Sequence, residues 1–171
     1  MSILETSEKE QMTLDAETRG KERIILVFDL NEEFYGLDVN LVREIVRVPG
    51  RITRVPKAPG YIRGVINLRG TVIPVLDMSI KMGRESSEAD SDSRIVVAEF
   101  EDLNLGVMVD AVREVRTIYE AEIESADRVE TSADAEYLEG VAKIDDGRLI
   151  CLLDLPRLLD IREIIEGEEE K

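Results

Sequence analysis

Histidine is absent from this 171-residue sequence, so no imidazole can serve as base, metal ligand or phosphoacceptor. Tryptophan is absent as well, and aromatics make up only 4% of the chain, which removes the stacking platform that single-stranded nucleic acid requires. Cysteine occurs once, at Cys151; this excludes an internal disulfide framework and fits a reducing compartment. Cations are scarce beside carboxylates, 22 Lys and Arg against 38 Asp and Glu, for a net charge of −16. Such a surface repels phosphate backbones and anionic lipid, which disfavours nucleic acid and direct membrane binding. No apolar run is long enough to cross a membrane, and "MSILETSEKEQMTLDAETRGKE" has no signal-peptide core, so the chain reads as soluble and cytoplasmic. A Walker-type phosphate loop, a GxSxG elbow and CxxC are all missing. The routes to catalysis that remain are carboxylate pairs and activated lysine or serine.

What is present is a repeat. "RIILVFDLNEEFYGLDVNLVREIVRV" from Arg23 is answered by "RIVVAEFEDLNLGVMVDAVREVRTI" from Arg94, with Val42-Arg43-Glu44 and Gly36 recurring 70 residues later as Val112-Arg113-Glu114 and Gly106. "YIRGVINLRGTVIPVLDM" from Tyr61 is answered by "YLEGVAKIDDGRLICLLDL" from Tyr137, so that Gly64 matches Gly140 and Asp77 matches Asp154. The polar stretch Gly83 to Ser93 joins the two units as a solvated linker. A chain of this length buries roughly 70% of its unfolded surface and needs no metal or disulfide to fold.

Each unit reads as β. "IILVF" and "IVVAEF" are short, β-branched apolar runs, and "FYGLDV" and "LNLGVMV" follow them at hairpin distance. "LVREIVRV" is compatible with a helical turn leading into a strand. "GVINL-RG-TVIPVL" predicts a hairpin with Arg69-Gly70 at its tip, and Pro74 predicts an edge strand or a bulge there. Asp77 and Asp154 precede "MSIKMG" and "LPRLLD", where each would cap a short helix. Several short strands at close spacing, twice over, predict a mainly β chain of two small barrels packed together, with short helices and a C-terminal helix. Residues 1–22 are expected to form a flexible tail, 23–159 the folded body with a linker near 83–93, and 160–171 the end of the last helix and an acidic tail.

Several positions invite a functional reading, and each has a plainer one. Asp77 and Asp154 suggest a catalytic dyad, but the repeat makes each the cap of its own unit. "EADSD" lacks the glycine and terminal glutamate of a calcium loop. Gly64, Gly106 and Gly140 suit bulges or close backbone approach. Val42, Val112 and Val115 stand beside Arg-Glu pairs, so either a core or a partly exposed apolar rim fits. Arg69 differs, because its repeat counterpart in "KIDDGRL" is acidic and the fold therefore does not demand a cation there. A turn arginine often only solubilises, yet one that crowns an apolar hairpin suits an interface, combining a bidentate fork with an apolar stem.

"FYGLDVNLVREI", "VPKAPGYIRGVINLRGTVIPVLDM" and "LGVMVDAVREV", in this order and spacing, closely resemble the CheW family of bacterial chemotaxis coupling proteins. The resemblance runs from Arg23 to about Leu159, and GxxNLRGxxxPxxD within it is matched by Gly64, Asn67, Leu68, Arg69, Gly70, Pro74 and Asp77. It implies that the two barrels, tandem in sequence, are five-stranded, SH3-like and intertwined, and that the protein is a non-enzymatic adaptor, joining the cytoplasmic tip of methyl-accepting chemoreceptors to the regulatory domain of the histidine kinase CheA. No cofactor and no metal are implied. Related domains occur in CheA and CheV, but a chain without histidine or a receiver unit favours the free-standing adaptor. The receptor-binding positions it implies are Val42, Glu44, Gly64, Asn67, Arg69, Gly106, Val112, Val115 and Gly140. Glu33 and Arg63 are the matches on the kinase side. A CheW-like module of another signalling scaffold, or a peptide-binding SH3-like barrel, are the alternatives; a carboxylate hydrolase would require the two aspartates to face each other across a cleft.

Overall fold

The computed structural model describes residues 20–86, 88–125, 135–144 and 147–159. Most of the expected N-terminal tail, and everything beyond residue 159, lie outside them. In chain order the strands are β1 (Glu22–Leu30), β2 (Glu33–Asp38), β3 (Val42–Arg47), β4 (Ile62–Leu68), β5 (Thr71–Asp77), β6 (Arg94–Phe100), β7 (Leu103–Val109), β8 (Ala111–Tyr119), β9 (Ile123–Glu124), β10 (Leu138–Lys143) and β11 (Leu149–Leu153). Two short helices follow the aspartates, α1 (Met78–Lys81) and α2 (Leu155–Leu159). The helical turn expected in "LVREIVRV" is a 3₁₀ turn, Val39–Leu41, leading straight into β3.

The strands form two sheets, ordered β8-β1-β2-β11-β10-β9 and β3-β6-β7-β5-β4. Apart from the two-residue β9, the orders are the same when one repeat is read onto the other. The sheets are nevertheless not the sequence halves. Hairpin β1–β2 of the first half sits in the sheet built by β8, β10 and β11. Hairpin β6–β7 of the second half sits with β3, β4 and β5. The halves have exchanged hairpins, joined through the parallel pairs β2–β11 and β5–β7. Ion pairs cross the same join. Arg23 on β1 pairs with Glu139 on β10, a hydrogen bond that holds the guanidinium pKa above its usual value, and Asp29 on β1 pairs with Arg113 on β8.

Strand alternation explains why β1 and β6 read as unbroken apolar runs: both faces are buried. Ile25 and Val27 point into a cluster belonging to the first sheet, and Ile95 and Val97 into one belonging to the second. Leu26 and Phe28, with Val96 and Ala98, point the other way into a larger cluster shared by both sheets. Leu155 and Leu158 of α2 close that shared core.

Pro74 corrects the edge-strand expectation, since β5 lies between β7 and β4. The parallel ladder to β7 begins only at Val75, so Pro74 stands where no neighbour on that side requires an amide hydrogen.

Both aspartates cap as expected. Asp77 accepts from the Ile80 amide at 3.2 Å, and Asp154 from that of Arg157 at 3.2 Å. Asp77 is 4% exposed, accepts from the Ser86 hydroxyl as well and lies 3.8 Å from Arg63. Asp77→Ala should therefore cost about 2 kcal/mol, the upper end for a lost cap, and more than Asp154→Ala. Urea midpoints of the two variants measure the difference.

Candidate functional site

The hairpin between β4 and β5 turns in two residues. Arg69 and Gly70 both have positive φ, 53° and 84°, as the tight turn matched to strand twist requires. The Asn67 side-chain oxygen accepts from the Gly70 amide at 2.9 Å and fixes the turn. Arg69 itself stays 78% exposed, with one nitrogen 3.0 Å from Glu44 Oε2. An exposed ion pair contributes roughly 0–1 kcal/mol, so stability does not explain this arginine.

Glu44 reaches the hairpin because β3 is bulged. Val42 pairs with Ala98 and Glu44 with Val97, leaving Arg43 as the extra residue. The same bulge recurs on β8, where Val112 pairs with Phe28 and Glu114 with Val27. The bulge aims Val42 and Val112 at the shared core, against which both pack half-buried. Arg43, Glu44, Leu68 and Arg69, with Asn104 and Val97 behind them, line a small cavity of about 160 Å³.

Three steps beyond Val112, Val115 is 60% exposed and pairs with Leu26, on the face that looks toward the other sheet. Its repeat equivalent is Ile45, 41% exposed and paired with Val96 on the matching face. Sequence reasoning did not select Ile45, although the offset of the Val-Arg-Glu repeat leads directly from Ile45 to Val115. Val72, 63% exposed beside the hairpin tip, was missed too; nothing in the sequence separates it from the buried valines around it.

The glycines are buried and act through shape. A Cβ on Gly64, at φ +150°, would overlap the Thr53 carbonyl oxygen. On Gly106 it would meet Ile95 Cγ2 at 2.7 Å, and on Gly140 Ile123 Cγ2 at 2.7 Å.

Glu33 on β2 and Arg63 at the start of β4 stand apart from the hairpin tip but share a neighbour, the segment after α1. Arg84 lies 3.4 Å from Glu33, which also accepts from the Tyr35 hydroxyl at 3.2 Å; burial pushes the Tyr35 phenol far above its ordinary pKa, so it remains a donor. Arg63 donates toward Met108 Sδ at 3.0 Å and lines a hollow with Ser86 and Ala89. Asp77 and Asp154 are each engaged in their own caps. No helix among the described residues is long and apolar enough to cross a membrane.

The two small sheets exchange hairpins and share one core, and Ile45, Val72 and Val115 are exposed apolar side chains on them. The chain belongs to the CheW-like domain family, whose profile matches residues 25–163. It is 32% identical over 151 residues to the chemotaxis protein CheW of Klebsiella aerogenes, covering 88% of this chain and 89% of that protein. It is 35% identical to CheW of Bacillus subtilis over 148 residues, 86% of this chain and 92% of that one. Among solved structures, the scaffolding protein TtCheW from Thermoanaerobacter tengcongensis superposes with a TM-score of 0.71 at 41% identity, covering 80% of this chain and 86% of TtCheW.

Proposed function

We propose that this protein is a chemotaxis adaptor that joins the cytoplasmic tips of chemoreceptors to the regulatory domain of the histidine kinase CheA. Family membership across nearly the whole folded body carries this reading. It works by contact alone: it favours one relative arrangement of receptor and kinase, a differential-binding effect that requires no chemistry of its own. Its place is the cytoplasm, recruited to receptor arrays through these partners.

On the receptor side, Val42, Val112 and Val115 supply apolar contact to a helical tip, and Glu44, Asn67 and Arg69 supply the polar part. Gly64, Gly106 and Gly140 keep the backbone under them in shape. Exposed Val115 and the surface pair Arg69–Glu44, neither needed for folding, support this division. Glu33 and Arg63, both beside the segment after α1, form the kinase side.

The test is a titration against the isolated receptor tip and, separately, the kinase regulatory domain. Val115→Asp and Arg69→Glu should stay folded by circular dichroism. Each should weaken receptor binding at least tenfold and leave kinase binding within threefold. Wild-type protein that binds neither partner would overturn the adaptor reading. Variants that bind the receptor normally would overturn only the site.

A further inference from the structure

Between Glu44 and Asp77 the sequence carries six cations, Arg47, Arg51, Arg54, Lys57, Arg63 and Arg69, and not one carboxylate. All 38 acids of this −16 chain lie outside that stretch. Two of the cations are engaged, Arg63 near Asp77 and Arg69 with Glu44. Arg47, Arg51, Arg54 and Lys57 are exposed, and none pairs with an acid among the described residues.

Three of these four lie on the connector from Val48 to Gly60, between β3 and β4. Its backbone is held: Thr53 and Val65 exchange both amide hydrogen bonds, at 3.1 and 2.7 Å. Pro49, Pro56 and Pro59 stiffen it further. In the turn Val55 to Ala58, Lys57 takes φ +64°, where glycine would be less strained. The cations therefore project from a fixed ridge.

Beside the ridge is a hollow of about 520 Å³ whose apolar lining includes Val48, Ile52, Ile62, Ile80 and Met108, with Arg54 and Arg63 among its walls. Ser86 and Ala89 also line it. Exposed Glu85, Glu88 and Asp90 adjoin them in sequence and make no ion pair with the connector among the described residues.

We infer that this cationic ridge and the hollow beside it are a docking surface for an acidic segment of a partner protein, one whose carboxylates are interrupted by apolar side chains. The charge selects acid, and the hollow selects side chains; a flat lipid surface would leave the hollow empty. The net negative charge elsewhere does not prevent this, because exposed charges are screened beyond about 8 Å at physiological ionic strength. The surface stands whether or not the adaptor reading holds, and the variant below leaves Arg63 intact because the kinase side shares it.

The probe is a labelled twelve-residue peptide of glutamates with leucine at every third position, titrated into the full chain at 0.15 M salt. Its glutamine counterpart and phosphatidylglycerol vesicles run in parallel. The acidic peptide should bind, the glutamine peptide should not, and Arg51→Gln/Arg54→Gln/Lys57→Gln should weaken binding at least tenfold. Arg116→Gln/Lys143→Gln/Arg148→Gln removes equal charge from the other sheet and should leave binding within twofold. Equal loss in both triple variants, binding to vesicles alone, or no binding of any probe would overturn the proposal. Amide-shift mapping on wild-type protein does not depend on the variants folding. Perturbations should fall within residues 48–63 and 80–89, and a footprint elsewhere rejects the surface.

Discussion

Gly64→Ala should destabilise the protein by more than about 4 kcal/mol, the largest effect expected of any single methyl group added to this chain. Two costs coincide there. The backbone sits at φ +150°, which L side chains rarely adopt, and the new Cβ would overlap the Thr53 carbonyl oxygen while lying 2.8 Å from Ile52 Cγ2. Neither obstacle can give way cheaply. Thr53 is paired with Val65 on both hydrogen bonds, and β4 is already bulged between Ile62 and Gly64. Gly140→Ala, at the equivalent bulge on β10, meets the Glu124 carbonyl oxygen at 2.8 Å without positive φ and should cost less. Gly70→Ala has open space and only the backbone cost of its φ of +84°, about 1 kcal/mol. Urea midpoints should rank Gly64→Ala lowest and Gly70→Ala highest. A Gly64→Ala protein as stable as wild type would show that the connector gives way, contrary to the ridge described above.

Phe28→Ala should cost about 3–5 kcal/mol and lower Tm by roughly ten degrees while leaving a single unfolding transition. Phe28 is 1% exposed, stacks on Tyr35 with centroids 6.1 Å apart, and belongs to the cluster both sheets share. Because each sheet contains a hairpin from the other half, neither can keep its strand order once the other is lost. Native-state hydrogen exchange should show amides of β6 and β7 losing protection together with those of β1 and β2. Two separated transitions, with β3 to β7 surviving the loss of the other sheet, would contradict that interdependence.

Much of this was legible in the residues because it depends on short-range chemistry. The two-residue turn needed positive φ twice, and Arg69-Gly70 with Asn67 before it satisfied that locally. Asp77 and Asp154 cap because a short acceptor before a helix meets the free amides at its start, whatever surrounds it. The doubly buried strands showed as unbroken β-branched runs. Pro74 misled only in part, since the sequence shows a missing donor but not where the neighbouring ladder begins. Ile45 went unselected because its exposure follows from the edge position of β3, which no local signal marks. The Arg69–Glu44 pair was invisible too: both residues were selected, but only the β3 bulge brings them together.

Residue order alone sets the strand content, the repeat, the turns and the caps, all fixed within a few residues by backbone sterics and hydrogen bonding. It also determined the family, through motifs whose order and spacing are linear properties. Which half each hairpin joins is settled by packing in three dimensions. The two β1–β2-type hairpins are alike in pattern, so either could complete either sheet; the choice is made by register at β2–β11 and β5–β7 and by the shared core. The same is true of charge. A run without carboxylates becomes a cationic ridge only because one pairing, Thr53 with Val65, holds it beside an apolar hollow.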